Sequence, residues 1–231
     1  MISSTKTILA YGDSLTWGYD PDPSGVRHSA HQRWPLVLEN GLAGDVRVVE
    51  SGLSGRTTCH DAGFLEYHNG LKALPLVLEQ ALPVDLMIIM LGTNDLQAHI
   101  GASAFNAARG VHRLIHKART VVAEQRIMRY RELPEPQFLI VTPPAMIEAD
   151  AGIRAYFGNV VPTQAELRAA YTKVADETGA AILHAGDYCQ ASPLDGVHLD
   201  GEETAKLGRG MVPIVAKLLD ISIPNGGASH G

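Results

Sequence analysis

The stretch ILAYGDSLTWGYD, residues 8 to 20, ends an apolar run abruptly at Gly12-Asp13-Ser14. A serine there can cap a helix, shape a turn or act as a nucleophile, and helix N-caps favour it. A serine nucleophile needs a base, and the base needs an orienting acceptor. Late in the chain, Asp195-Gly196-Val197-His198 offers both. A separation of three residues on a loop lets the carboxylate meet one imidazole nitrogen while the other faces outward. If His198 reaches Ser14, Asp195 holds the required tautomer and stabilises the imidazolium that forms. The developing oxyanion would then be met by the backbone amides of Ser14 and Gly55 and by the side-chain amide of Asn94. Each donor of this kind is worth about 10²–10³ in rate.

These residues can converge only if the chain delivers them to one edge. Five short apolar runs, residues 7–11, 46–50, 85–91, 138–142 and 180–184, are too short for helices and too continuously apolar for half-wet strands. Buried parallel strands fit best. Helical patterns lie between and beyond them at 34–42, 71–82, 102–128, 163–178 and 201–219, the last opened by Asp200 with Glu203 at capping-box spacing. Such alternation predicts an α/β sheet with helices on both faces, in one domain over residues 1–231 with a loose Gly-rich tail at 223–231. Open parallel sheets bind ligands at the carboxyl ends of their strands. There the chain carries Gly12-Asp13-Ser14, Ser51-Gly52-Leu53-Ser54-Gly55 and Gly92-Thr93-Asn94-Asp95.

Other residues compete for these roles. Of ten histidines, only His198 has an acid three residues before it near the expected active edge. His28, His31, His60, His68 and His99 fall in loops without an acid at useful spacing, and His184 ends a strand. His112 and His116 stand four apart, a metal-compatible helical spacing, but with no Glu after His112 and no third ligand a solvated helix face is expected. Asp13 and Asp95 read as structural turn residues. Arg56 reads as a rim salt bridge, with substrate orientation the sharper alternative.

The blocks GDSLT, GLSGRT, GTND and DGVH together resemble the SGNH hydrolases, or GDSL-type esterases. The resemblance covers most of the chain, in order. The wider stretches YGDSLTWGYD, GLSGRTT and IIMLGTND are similar to the branch containing bacterial arylesterases and a mycobacterial acyltransferase. It implies a three-layer flavodoxin-like fold with strand order 2-1-3-4-5, a triad of Ser14, Asp195 and His198, and an oxyanion hole of Ser14, Gly55 and Asn94. It also implies no metal or organic cofactor, and homo-oligomers that include octamers. The segments at 126–136 and 143–162 are the candidate contact surfaces. Many members carry Asn at the start of the second block, where this chain has Glu50 and Ser51.

Leu15, Trp17 and Tyr19 after the serine, Pro144 with its neighbours in the long 143–162 loop, and Val197 inside the DGVH block are expected to line an apolar, narrow substrate site. Short-chain aryl or alkyl esters are the expected substrates, with acyl transfer to alcohols or peroxide competing with hydrolysis. A carbohydrate O-acetyl esterase is the nearest alternative. A metallophosphoesterase shares Gly-Asp turns, but the first strand lacks the Asp-x-His such a metal site begins with. A non-catalytic sugar- or ester-binding module is a third class.

The formal net charge of −6 argues against nucleic acid as the main partner, and the densest basic stretch, Arg126, Arg129 and Arg131, suits a helix end. Hydrophobic residues at 45% and charged residues at 19% give an ordinary globular balance. No run resembles a signal peptide or a membrane span, so a cytoplasmic location is the default expectation. Cys59 and Cys189 are expected to be free thiols.

Overall fold

The computed structural model describes residues 5–42, 46–61, 65–129, 132–149, 152–158 and 161–223. Strands β1 (Lys6–Gly12), β2 (Val46–Gly52), β3 (Leu86–Met90), β4 (Gln137–Thr142) and β5 (Ala181–His184) form one parallel sheet in the order β2-β1-β3-β4-β5. The helices are α1 (Ser14–Trp17), α2 (Trp34–Leu42), α3 (Gly70–Ala81), α4 (Ala104–Met128), α5 (Gln164–Thr178) and α6 (Gly201–Leu219). The doubly wound architecture expected from the alternation of strands and helices is what the chain adopts.

The two-residue period of the strands explains the layering. Leu9, Tyr11, Met87, Ile89, Phe138 and Ile140 point to one side, where they meet Leu74 and Leu78 of α3, Leu114 of α4 and Tyr171 of α5. Ile8, Ala10, Leu86, Ile88, Leu139 and Val141 point to the other, against Trp34 and Leu38 of α2 and Leu207 and Met211 of α6. With both faces covered, the central strands β1 and β3 carry no polar alternation, as buried parallel strands should not, whereas the edge strand β2 exposes Arg47 between buried Val46 and Val48.

The helix starts differ in detail from expectation. Asp200 caps α6 by accepting from the amides of Glu202 and Glu203, but the Glu203 carboxylate turns away to Gln190 N and Lys206. The reciprocal capping box forms instead at α5, where Thr163 and Glu166 satisfy each other's backbone amides. Two ends of the expected organisation, the tail from 224 onward and Arg131, lie outside the described residues. Cys59 and Cys189 are free thiols, and among the described residues no helix is long and apolar enough to cross a membrane.

Register brings the strand ends level. Gly12 of β1 pairs with Gly52 of β2 on one side and Met90 of β3 on the other. The residues that follow therefore leave the sheet side by side. At Gly52 a side chain would collide with the backbone nitrogen of Trp17, so glycine is what lets α1 lie against β2.

Candidate active site

Three loops at the carboxyl edge of the sheet meet a fourth from the end of the chain. Asp13 is the N-cap of α1, its carboxylate accepting from Leu15 N at 2.9 Å. That leaves Ser14 at the first helical position with its hydroxyl unclaimed by the helix. The imidazole of His198 takes it up, with Nε2 2.9 Å from Ser14 Oγ. On the opposite side of the ring, Nδ1 lies 2.6 Å from Asp195 Oδ2. The other carboxylate oxygen accepts from the backbone amides of Val197 and His198, each at 2.9 Å. Gly196 sits at φ +76°, a left-handed turn that closes this four-residue loop without side-chain strain.

The electrostatics follow from these contacts. Burial alone would raise the Asp195 carboxyl, but the hydrogen bonds from the His198 ring and from the two amides outweigh it and hold Asp195 below its ordinary value. An ionised Asp195 can only accept, so the proton on the ring belongs to Nδ1. Nε2 is then the acceptor for the Ser14 hydroxyl proton. Asp195, His198 and Ser14 are each at most 5% exposed, which keeps water from competing along this line.

A pocket of about 140 Å3 opens beside them, lined by Ser14 and His198, by Ser54, Gly55 and Asn94, and by Tyr19, Phe157 and Val197. The structure thus brings together Ser14, Gly55, Asn94 and His198, with Asp195 directly behind. Gly55 holds φ +82°, a backbone turn that glycine adopts freely. Asn94 Nδ2 lies 3.1 Å from Arg56 O and 3.4 Å from Asp13 Oδ2. The Tyr19 ring packs on the His198 imidazole with centroids 4.2 Å apart, and Val197 with Phe157 and Leu96 forms a small apolar cluster at the rim.

Three residues expected in the substrate site lie elsewhere. Leu15 points back from α1 into the core with Ile8, Trp34 and Leu38, because the helical turn that exposes Ser14 directs its neighbour inward. Trp17 is outside the pocket lining, its ring under the Arg27 guanidinium at 5.0 Å. Pro144 is buried but does not line the pocket.

Arg56 departs from both readings of it. It is 5% exposed and donates to the carbonyls of Gly12 at 2.9 Å and Ser51 at 2.5 Å, with its guanidinium 4.2 Å from the Tyr11 ring. It bolts the ends of β1 and β2 together from beneath. In the second block, Glu50 forms a two-pronged pair with Arg33, at 2.8 and 2.9 Å. Asp13 is fully buried, and desolvation pushes its carboxyl up to about 7 against the helix amide of Leu15, with Asp95 adding to the rise and Arg56 opposing it.

Two histidines assigned to loops without acids have them. His60 Nδ1 meets Asp95 Oδ1 at 2.8 Å, and His28 Nδ1 lies 3.6 Å from Asp20 while its Nε2 meets Leu199 O at 2.9 Å. Their partners are 35 and 8 positions away, beyond the reach of a local spacing argument. His112 and His116 stack on the face of α4 with centroids 4.4 Å apart. Among the described residues no three His, Cys, Asp or Glu side chains are grouped to hold a metal ion.

The chain is similar to several known esterases. A carbohydrate acetylesterase family member from Sinorhizobium meliloti shares 39% identity and a TM-score of 0.83, over 94% of this chain and 100% of that one. The aryl esterase of M. smegmatis is 32% identical with a TM-score of 0.85, over 93% and 100% of the two chains. Thioesterase 1/protease 1/lysophospholipase L1 of Escherichia coli (strain K12) is 32% identical over 93 residues, 40% of this chain. That match spans only 36% of the curated relative's length. The family model for GDSL-like lipases and acylhydrolases matches residues 10–204. With that span running from the strand before Ser14 to the helix after His198, the chain belongs to the GDSL-like lipase/acylhydrolase family.

Proposed function

We propose that the protein is a serine esterase acting on short-chain esters through an acyl-serine intermediate. The observation that carries this reading is the unbroken line from Asp195 Oδ2 through His198 to Ser14 Oγ, 2.6 and 2.9 Å, ending at a pocket. Ser14 Oγ attacks the ester carbonyl carbon as His198 Nε2 accepts its proton. The carbonyl oxygen becomes an oxyanion, held by the amides of Ser14 and Gly55 and by Asn94 Nδ2. Collapse breaks the bond to the leaving oxygen, which departs as the alcohol by taking from His198 the proton that Ser14 gave up. Water, activated by the same imidazole, then attacks the acyl-serine and releases the acid. An alcohol or peroxide in place of water gives acyl transfer.

Pocket size supports a short acyl group. Sites for drug-sized ligands are roughly 300–1,000 Å3, whereas this one is about 140 Å3. Tyr19, Phe157 and Val197 make its walls mainly apolar, which suits aryl and alkyl esters and slows water relative to a less polar acceptor. The similarity to a carbohydrate acetylesterase favours a second reading, removal of O-acetyl groups from a sugar. The acyl pocket is the same in both. Only the leaving group differs.

The test is a panel of p-nitrophenyl esters of rising acyl length beside an acetylated sugar. Wild-type protein should favour acetyl and turn over the aryl ester faster, and Ser14→Ala should lose essentially all hydrolysis while keeping its thermal midpoint. A variant retaining more than a few per cent of activity sinks the nucleophile assignment. Faster turnover of the acetylated sugar selects the second reading.

Self-association is a further part of the proposal. Ile127 and Met128 at the end of α4 are 87% and 69% exposed, and Tyr156 in the long 143–162 loop is 68% exposed. These exposed apolar side chains lie on the two segments that the family resemblance offers as contact surfaces, and further copies would bury them. Light scattering should return a multiple of 24.7 kDa; a monomer overturns it.

A further inference from the structure

Asn94 can serve an oxyanion only if its amide nitrogen, and not its amide oxygen, faces the pocket. A half-turn about the last side-chain torsion exchanges the two, replacing a donor by an acceptor exactly where negative charge grows. Something must therefore fix the amide. On one side Nδ2 donates one N–H to Arg56 O at 3.1 Å, while its other N–H, with the Asp13 carboxyl only distantly placed at 3.4 Å, is the one an oxyanion would take up. On the other, Gln97 Nε2 donates to Asn94 Oδ1 at 2.8 Å.

We infer that Gln97 is a positioning residue for this reaction, its side-chain amide locking Asn94 with the NH2 toward the pocket. The inference rests on the esterase reading above. In the flipped state Asn94 Oδ1 would face Arg56 O, a repulsion, and its NH2 would meet the NH2 of Gln97 unless Gln97 turned its own amide as well, so the flip costs either two contacts or a concerted turn of both amides. Gln97 does not line the pocket and has no part in the proton transfers. Its backbone is held independently of its side chain: Gln97 N donates to Asn94 O, and the amides of Ile100 and Gly101 donate to Gln97 O at 2.9 and 2.8 Å. Side-chain substitutions therefore leave the turn in place.

What the position must supply is a donor, whatever its shape. Gln97→Met keeps length and removes the donor, and should lower kcat about tenfold with KM unchanged, the loss of one hydrogen bond's worth of orientation. Gln97→Glu sets a carboxylate against Asn94 Oδ1, favours the flipped amide, and should approach the loss of Asn94→Ala, about 10²-fold. Gln97→Lys restores a donor and should stay within about threefold of wild type, opposite to what a packing role predicts.

The decisive measurement is a double-mutant cycle on acetyl ester hydrolysis, with thermal midpoints as a check on folding. Asn94→Ala/Gln97→Met should be no slower than Asn94→Ala alone, because the second residue acts only through the first. Additive losses, or a Gln97→Met enzyme as fast as wild type, overturn the inference while leaving the esterase reading intact. Full activity in Asn94→Ala overturns the inference together with that part of the esterase reading that assigns Asn94 to the oxyanion, whereas loss of activity in Ser14→Ala still tests the nucleophile separately.

Discussion

Two acid–imidazole pairs stand at the same edge of the sheet, His198 with Asp195 and His60 with Asp95. Both join a ring Nδ1 to a buried carboxylate, at 2.6 and 2.8 Å. Their surroundings separate them. The far nitrogen of His198 meets Ser14 Oγ in a pocket, and both partners are almost fully buried. His60 is about one-third exposed, and its acid also holds the Thr58 amide and hydroxyl, which ties down the loop after the second block. An acid beside an imidazole is thus not a reaction centre. What sets the first pair apart is a hydroxyl in line at the second nitrogen with space beside it, and the esterase reading rests on that difference.

The sharpest way to break this contrast is Asp195→Asn. An amide at 195 stabilises the wrong imidazole tautomer, and kcat should fall about 10³–10⁴-fold with the fold retained. The same measurement on His60→Gln should show a change of no more than about threefold. If His60→Gln proved as damaging as Asp195→Asn, the division into catalytic and structural pairs would fail.

A smaller effect separates the pairs by pH. The hydrogen bond that His60 donates to Asp95 comes first among the influences on the imidazole and, with the charge of Asp95, raises it above its ordinary value despite partial burial. A raised histidine contributes stability that is complete below the unfolded value, about 6.5, and disappears as pH climbs through the folded value above it. Because glutamine can replace the neutral hydrogen bond but not the charge, the thermal midpoint of His60→Gln should trail wild type at pH 6 and converge with it by pH 9. A gap that widens with pH would reverse the sign and refute the charged pair.

The same contrast explains what could be read from the sequence. The strands, the order of helices and the Ser14–Asp195–His198 arrangement were legible because each depends on local pattern or on short blocks at strand ends. The pairing of His60 with Asp95 is not legible in the sequence, since register between loops, not spacing within one, brings them together. Leu15 misled for a related reason: adjacency to Ser14 says nothing about direction, and one helical residue is 100° of rotation. From the sequence Arg56 reads as a surface cation, because Arg is rarely buried. Only the level ends of β1 and β2, with two backbone carbonyls converging on one point, make a buried guanidinium affordable there.

The pairing of Ser14 with His198 also has a timetable. A ribosome making this chain releases the serine, the first strand and its glycine-rich neighbours long before the imidazole 184 positions later exists. Until the DGVH loop has left the exit tunnel and α6 has settled against α2, Ser14 is an ordinary alcohol. On the esterase reading, the nascent chain therefore carries no activated nucleophile until the DGVH loop, 184 positions after the serine, has been made.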